Sequence, residues 1–359
     1  MKEEGWELLL VSADGREVQS ICRAEGVRHE VIPFVKGVNY VEDFISFWLL
    51  FQLIRKEKPD VIHSYDAKIG FLGMLAAKLA GITHRIHSIT EMPVHTKDPQ
   101  KGFTFKEKWT FSNATSLWVN STGMLSFFTS NSGIDASKFK LLGSGSTLGV
   151  DLEKFNRQVL KENHLVAATM RILPGENDFI ILAIGALTKG KGVEDLVAAF
   201  LKSKIVSRSK LVLIGTFEPE EESLSQETIQ TIREHPRVVQ IDWTDHVEHH
   251  LALADVLVQP SHEEGFSNVL LEAAAMQVPI ICSNCIGNTS FIKQQKTGLV
   301  FPVGEVTVLK EAMEFAFVKR DTLASYSDAL FEEVKDKFDR KVMRKLQAAA
   351  YRQLLNNQD

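Results

Sequence analysis

Ser261 to Ile280 reads SHEEGFSNVLLEAAAMQVPI, and it places two glutamates, Glu264 and Glu272, around Gly-Phe-Ser-Asn. The run before it, DVLVQP, is apolar enough for a buried strand, and Pro260 and Gly265 punctuate the loop that follows. SNVLLEAAAMQ has strong helix formers, with Ser267 or Asn268 as N-cap. Ligands of open parallel sheets bind beyond the carboxyl ends of strands, and the free amides and dipole of a helix start there favour an anion such as a phosphate. A phosphate would repel both carboxylates. A carboxylate accepts hydrogen bonds from hydroxyls, so each glutamate suits a sugar ring flanking the phosphates. Two sugars joined by a diphosphate make a nucleotide sugar. The plainer alternative, Glu264 capping a helix and Glu272 a solvated charge, carries equal weight from the pair alone.

Working outward, similar strands recur: ELLLVS, HEVIPF, DVIHS, RIHSIT, SLWVNS and FKLLG, then FIILAIG, KLVLIG, RVVQID, PIICS and GLVF. Amphipathic segments of helix length, such as VEDLVAAFLKSK and FLGMLAAKLAG, separate most of them. Continuous apolar strands alternating with helices predict parallel sheets covered on both faces, an α/β chain of two doubly wound, Rossmann-like domains. A length of 359 residues fits two domains. The glycine-rich GSGSTLGVDLEKF marks the break. The domains expected are 1–150, 151–337, and a helix over 338–359 crossing back to the first. The opening MKEEGWELLLVS reads as the last turn of a helix and then a strand, so the first domain is expected to lack its first strand and helix, about 25 residues of a βα unit.

Hydrophobic residues are 44% and charged residues 24%, as in an ordinary globular chain, and the net charge of −5 leaves no basic footprint for nucleic acid. No apolar run is long enough to span a bilayer and no apolar leader follows Met1, which predicts a cytoplasmic protein, with the inner membrane face as an option. Cys282 and Cys285 are spaced C-x-x-C without a second pair, and a buried strand end explains them better than zinc or redox chemistry.

Over almost the whole chain the sequence resembles the retaining glycosyltransferases of glycosyltransferase family 4. The resemblance is carried by DVLVQPSHEEGFSNVLLEAAAMQVPIICSNCIGNTSFIKQQKTGLVFPVGE, AIGALTKGKGVEDLVAAF, LVLIG, LGSGSTLGVDLEKF and KPDVIHSYDAKIGFLGMLAAKLAG. It implies a GT-B fold, with the nucleotide-sugar donor in the second domain and the acceptor approaching the first. By position it puts Glu264 near the donor-sugar hydroxyls and Glu272 on the ribose. Gly265, Phe266, Ser267 and Asn268 form the helix start whose amides face the diphosphate, and Gly185, Lys189 and Lys191 line the facing loop. Lys191 would neutralise the diphosphate, making Glu264 and Lys191 the catalytic pair. No cofactor or metal ion is expected, since Lys191 and the helix dipole would do a metal's electrostatic work. The activity implied is transfer of a hexose from a nucleotide sugar, UDP-sugar foremost, to a glycan or lipid-linked acceptor in polysaccharide biosynthesis, with retention.

Several positions depart from the family pattern. Gly185-Ala186-Leu187 stands where relatives have Gly-Arg-Leu, a loss of roughly 1.5 to 3 kcal/mol, or about 10- to 100-fold in affinity. Glu263 adds negative charge beside the anion site. Leu148 is expected to occupy a left-handed turn poorly, and Thr90-Glu91-Met92-Pro93 replaces a His-Gly pattern. The alternative is therefore a non-catalytic GT-B scaffold or regulatory partner with a degenerate donor site. On the acceptor side, His63, Lys68, Thr90 and Glu91 are candidates at strand ends. FISFWLLFQLIRKEK is expected to pack on a sheet, with peripheral membrane contact as its other use. Asp245 to His250, DHVEHH, is expected to be a surface or capping segment rather than a metal site.

Overall fold

A computed structural model describes residues 5–356 apart from 36, 38, 66, 93–102, 147, 174, 176 and 219–222. The chain divides into two units, one of residues 1–143 with 344–359 and one of residues 144–343. The division thus precedes the boundary expected at 150, and the returning segment starts at 344 rather than 338.

The first unit runs β1 (Leu9–Ser12), α1 (Arg16–Glu25), β2 (Arg28–Val31), α2 (Tyr40–Glu57), β3 (Val61–Ser64), α3 (Ala67–Leu79), β4 (His84–Ile89), α4 (Phe105–Asn113), β5 (Ser116–Val119), α5 (Thr122–Asn131) and β6 (Phe139–Leu141). Its described strands are all parallel but form two sheets, β1-β2 and β3-β4-β5-β6. Val11 of β1 and Ile62 of β3 pack on one cluster with Leu50 and Ile54 of α2 and Ala76 and Ala77 of α3, so both sheets share a helical cover. FISFWLLFQLI accordingly turns Leu50 and Ile54 onto this core while Phe44 and Trp48 stay exposed.

The second unit contains α6 (Glu162–Ile172), β7 (Phe179–Ile184), α7 (Val193–Leu201), β8 (Ser209–Ile214), α8 (Gln226–Glu234), β9 (Val238–Ile241), α9 (Val247–Leu253), β10 (Val256–Gln259), α10 (Asn268–Ala275), β11 (Ile280–Ser283), α11 (Ile286–Thr289), β12 (Leu299–Phe301), α12 (Val306–Val318), α13 (Arg320–Lys337) and the start of α14 (Arg340–Asn356). Its parallel sheet has the order β12-β11-β10-β7-β8-β9. Alternate residues of each strand face opposite cores: Ile180 and Leu182 one, Phe179 and Ile181 the other, with Leu257 against Val256 and Val258 in β10. This two-sided cover is why the strands read as unbroken apolar runs. The chain leaves β7 in one direction through β8 and β9, then returns to β10 on its other side. The switch point, where loops diverge and leave room for a ligand, therefore falls between the ends of β7 and β10.

Candidate functional site

Two loops meet at that switch point. After β7 the chain passes Gly185, Ala186, Leu187, Thr188, Lys189 and Lys191 before α7, and after β10 it passes Pro260 to Ser267 before α10. Gly185, Ala186, Leu187, Lys191, Gln259 and Pro260 line a small pocket between them.

Close backbone approach holds the loops together. Gly192 has a φ of 70°, and a Cβ there would lie 2.1 Å from the carbonyl oxygen of Pro260, so no larger residue fits without moving a loop. The amide of His262 donates to the carbonyl of Gly190 at 2.9 Å, and its Nε2 lies 2.6 Å from Asp195 Oδ2 on α7. Gly287 seats α11 against the same loop, its amide donating to the carbonyl of Glu264 at 3.0 Å. These ties were not visible in the sequence, apart from the glycines that permit them.

On this frame Lys191 Nζ lies 2.9 Å from Glu264 Oε2. Ser261 Oγ donates to the same carboxylate oxygen at 3.3 Å and in turn accepts from Gln259 Nε2 at 2.9 Å. The Glu264 side chain is only 16% exposed and faces these partners. Lys189 is exposed. α10 begins after Ser267, a buried residue whose side chain makes no capping hydrogen bond, which leaves the first-turn amides available to a ligand. Gly265 and Phe266 are buried, Phe266 packing on Phe291 and Phe338, while Asn268 is exposed.

Glu272, on α10, is half-buried. Burial raises its carboxyl from 4.5 to about 7, with Glu248 adding to the rise and Lys154 and Arg340 opposing it. Lys154 and Arg340 were missed in the sequence. Lys154 lies in the VDLEKF segment and Arg340 near the chain's end, and neither pattern points to a carboxylate so far away.

The other expectations divide. Lys68 is fully engaged inside its own unit, 2.5 Å from Asp43 Oδ1 and donating to the carbonyls of Val35 and Gly37 at 2.6 and 2.8 Å. It fastens the start of α2. His63 has both ring nitrogens engaged, Nδ1 2.5 Å from Tyr351 Oη and Nε2 2.7 Å from Ser88 Oγ, and burial followed by the nearby His87 lowers its pKa to about 3. It is a neutral packed histidine. Thr90 follows β4, its carbonyl accepting from Asn120 Nδ2 at 3.0 Å, and Glu91 is exposed beside it; Pro93 of that pattern lies outside the described residues. Leu148 does not take the left-handed conformation. Gly145, Ser146 (φ 67°) and Gly149 do, and Ser146 Oγ accepts from the Gly149 amide at 3.0 Å. Cys282 and Cys285 are buried free thiols, as a strand end requires. The DHVEHH segment is not on the surface throughout: Glu248, His249 and His250 are buried, because the short α9 turns its polar side towards α6.

The fold defines a chain of doubly wound parallel α/β units with loops meeting at a switch point, and comparison with known proteins gives its family. Residues 170–329 match the family "Glycosyl transferases group 1" and residues 1–145 the "Glycosyl transferase 4-like domain". The chain belongs to these GT-B glycosyltransferases. It is 28% identical over 322 residues to the capsular polysaccharide biosynthesis glycosyltransferase CapM of Staphylococcus aureus, covering 88% of this chain and 81% of CapM. It is 24% identical to the Escherichia coli UDP-Gal:alpha-D-GlcNAc-diphosphoundecaprenol alpha-1,3-galactosyltransferase, over 84% of this chain and 80% of that protein. Among solved structures, Anabaena HepE in complex with UDP aligns with a TM-score of 0.79 at 14% identity, over 97% of this chain and 100% of that one. A glycosyltransferase from Rickettsia africae aligns with a TM-score of 0.79 at 18% identity, over 99% and 92%. Among the described residues no helix is long and apolar enough to cross a membrane.

Proposed function

We propose that this chain is a retaining transferase that moves a hexosyl unit from a UDP-sugar to a glycan or lipid-linked acceptor of surface polysaccharide. The observation that carries this reading is the Lys191–Glu264 pair at the switch point, beside a helix start with no side-chain cap. An arriving diphosphate accepts hydrogen bonds from the α10 amides and attracts Lys191 away from Glu264. Glu264 is then free to accept from hydroxyls of the donor sugar, and Glu272 from those of the ribose. The bond from the anomeric carbon to the diphosphate breaks as the acceptor oxygen bonds the same carbon from the same face. The acceptor proton passes to the leaving phosphate oxygen, whose growing charge Lys191 and the helix dipole stabilise. The UDP-bound relative and the relative acting on a diphosphoundecaprenol-linked sugar support the donor and acceptor classes.

Ala186, in the position where an arginine would grip the diphosphate, favours a second reading, a GT-B partner that has lost turnover. Calorimetric titration with UDP, followed by hydrolysis of a panel of UDP-sugars, separates the two. Saturable UDP binding with hydrolysis of one sugar supports the transferase, and binding without hydrolysis or transfer of any sugar supports the partner. Failure to bind UDP at millimolar concentration removes the donor assignment.

A further inference from the structure

Away from the loops around Lys191, three histidines from two helices converge. His164 lies in the first turn of α6, while His246 and His249 stand three residues apart at the start of α9, a spacing that places them on one face. The rings of His164 and His246 stack with centroids 4.0 Å apart, and His249 meets both edge-on at 5.3 and 5.6 Å. One ring nitrogen from each lies within 4.8 Å of the corresponding nitrogen of the other two.

Glu248 fixes which nitrogens are available. Its buried carboxylate oxygen Oε1 lies 3.1 Å from Nδ1 of His249 and 3.4 Å from Nδ1 of His246. A carboxylate facing Nδ1 favours the proton there and leaves the lone pair on Nε2. In His249 this assignment is independently supported, since Nε2 accepts the Lys161 amide at 3.2 Å. A carboxylate behind a histidine is also the usual outer support of a metal-bound imidazole, orienting the ring and raising its basicity. The cluster is costly without an ion. Glu248 is 5% exposed and its Oε2 lacks a hydrogen bond, with only Lys154 Nζ at 3.5 Å, and Nδ1 of the buried His249 lacks a well-formed one.

We propose that His164, His246 and His249 form a binding site for a borderline divalent transition metal ion, zinc foremost, supported from behind by Glu248. Three imidazoles leave a fourth tetrahedral position for water. Binding requires the rings to close from 4.8 Å to the roughly 3.3 Å between ligands of a tetrahedral ion with bonds of about 2.0 Å, and His249 to give up the long hydrogen bond from Lys161. His246 can move because its side chain is 48% exposed.

The test uses the whole, untagged chain stripped with chelator. Titration with Co2+ should give the visible absorption of a tetrahedral ion at one equivalent, displaced by Zn2+. The double variant His164→Ala/His246→Ala, which leaves the buried His249 in place, should weaken Zn2+ binding at least 100-fold in competition with a chromophoric chelator. Glu248→Gln should weaken it about 10- to 100-fold. Wild-type protein with no tetrahedral Co2+ spectrum overturns the proposal, as does a double variant that binds as tightly as wild type. The Co2+ spectrum needs no variant, so the outcome does not depend on any substitution folding.

Discussion

Lys191 Nζ stands 2.9 Å from Glu264 Oε2, although the two residues are 73 positions apart in the chain. The pair balances two charges that the proposed reaction needs separately, the ammonium on the diphosphate and the carboxylate on the sugar.

That separation gives opposite expectations for the two partners. Glu264→Gln removes a negative charge beside an anion site, so UDP should bind at least as tightly as to wild type while turnover of the UDP-sugar falls by on the order of 100-fold. Lys191→Ala removes a charged donor and leaves Glu264 facing the diphosphate, so UDP affinity itself should fall about 10- to 100-fold. Calorimetry with UDP beside kinetics with the sugar nucleotide distinguishes the two. Equal losses of UDP affinity in both variants would mean that the pair is only a structural tie.

Glu272 sets a pH dependence. Its folded pKa of about 7 exceeds the ordinary 4.5, mainly through burial. A carboxyl raised in this way stabilises the fold fully below pH 4.5, and the contribution is lost as pH rises through 7. At pH 8 the ionised group costs the empty protein on the order of 3 kcal/mol. It is also the form that would accept the ribose hydroxyls of the proposed donor. UDP affinity should therefore rise between pH 6 and 8 in wild type beyond whatever rise Glu272→Gln retains from ionisation of UDP itself. Glu272→Gln should also raise the melting temperature of the empty protein at pH 8. A variant that melts lower at pH 8, or shows the same pH profile as wild type, refutes the role.

How much of this the sequence could carry follows from distance along the chain. Ile181 and Leu182 announce a doubly covered strand because both neighbours are buried, a local pattern. Glu264 and the start of α10 at Asn268 are four residues apart, and the turn chemistry between them is legible. The Lys191 contact was reachable only through family resemblance. The segment whose sequence misleads is α9: His249 and Glu248 look like surface residues in the polar run DHVEHH, and only the packing of α6, with His164, buries them. From the sequence His63 reads as an acceptor-side group near the carboxyl end of a strand, but its partner Tyr351 lies 288 positions away on α14.

The His63 network makes the first unit sensitive to acid. Its folded pKa of about 3 lies below the ordinary 6.5, so the unfolded chain takes up the proton first. Stability is complete above about 6.5 and declines as pH falls towards 3. Of the five tryptophans only Trp243 lies in the second unit, so tryptophan fluorescence reports mainly on the first. The urea midpoint followed in this way should drop between pH 7 and 4.5 in wild type and drop less in His63→Gln. Parallel declines would show that other groups dominate the acid limb.

Ala186 offers the most direct trial of whether the donor site is working or vestigial. It lines the pocket beside Lys191, Gln259 and Pro260, next to Gly185, where a Cβ would meet nothing within 4 Å, so there is open space for a longer side chain nearby. A guanidinium at 186 would add a charge-assisted contact to the diphosphate, and Ala186→Arg should tighten UDP binding by about tenfold or more. In a working transferase the same grip also stabilises the leaving group, so kcat/KM for the UDP-sugar should rise with affinity. In a partner that has lost turnover, affinity should rise while hydrolysis and transfer stay absent. If Ala186→Arg leaves UDP affinity unchanged, the diphosphate does not lie beside this loop and the placement of the donor between β7 and β10 fails.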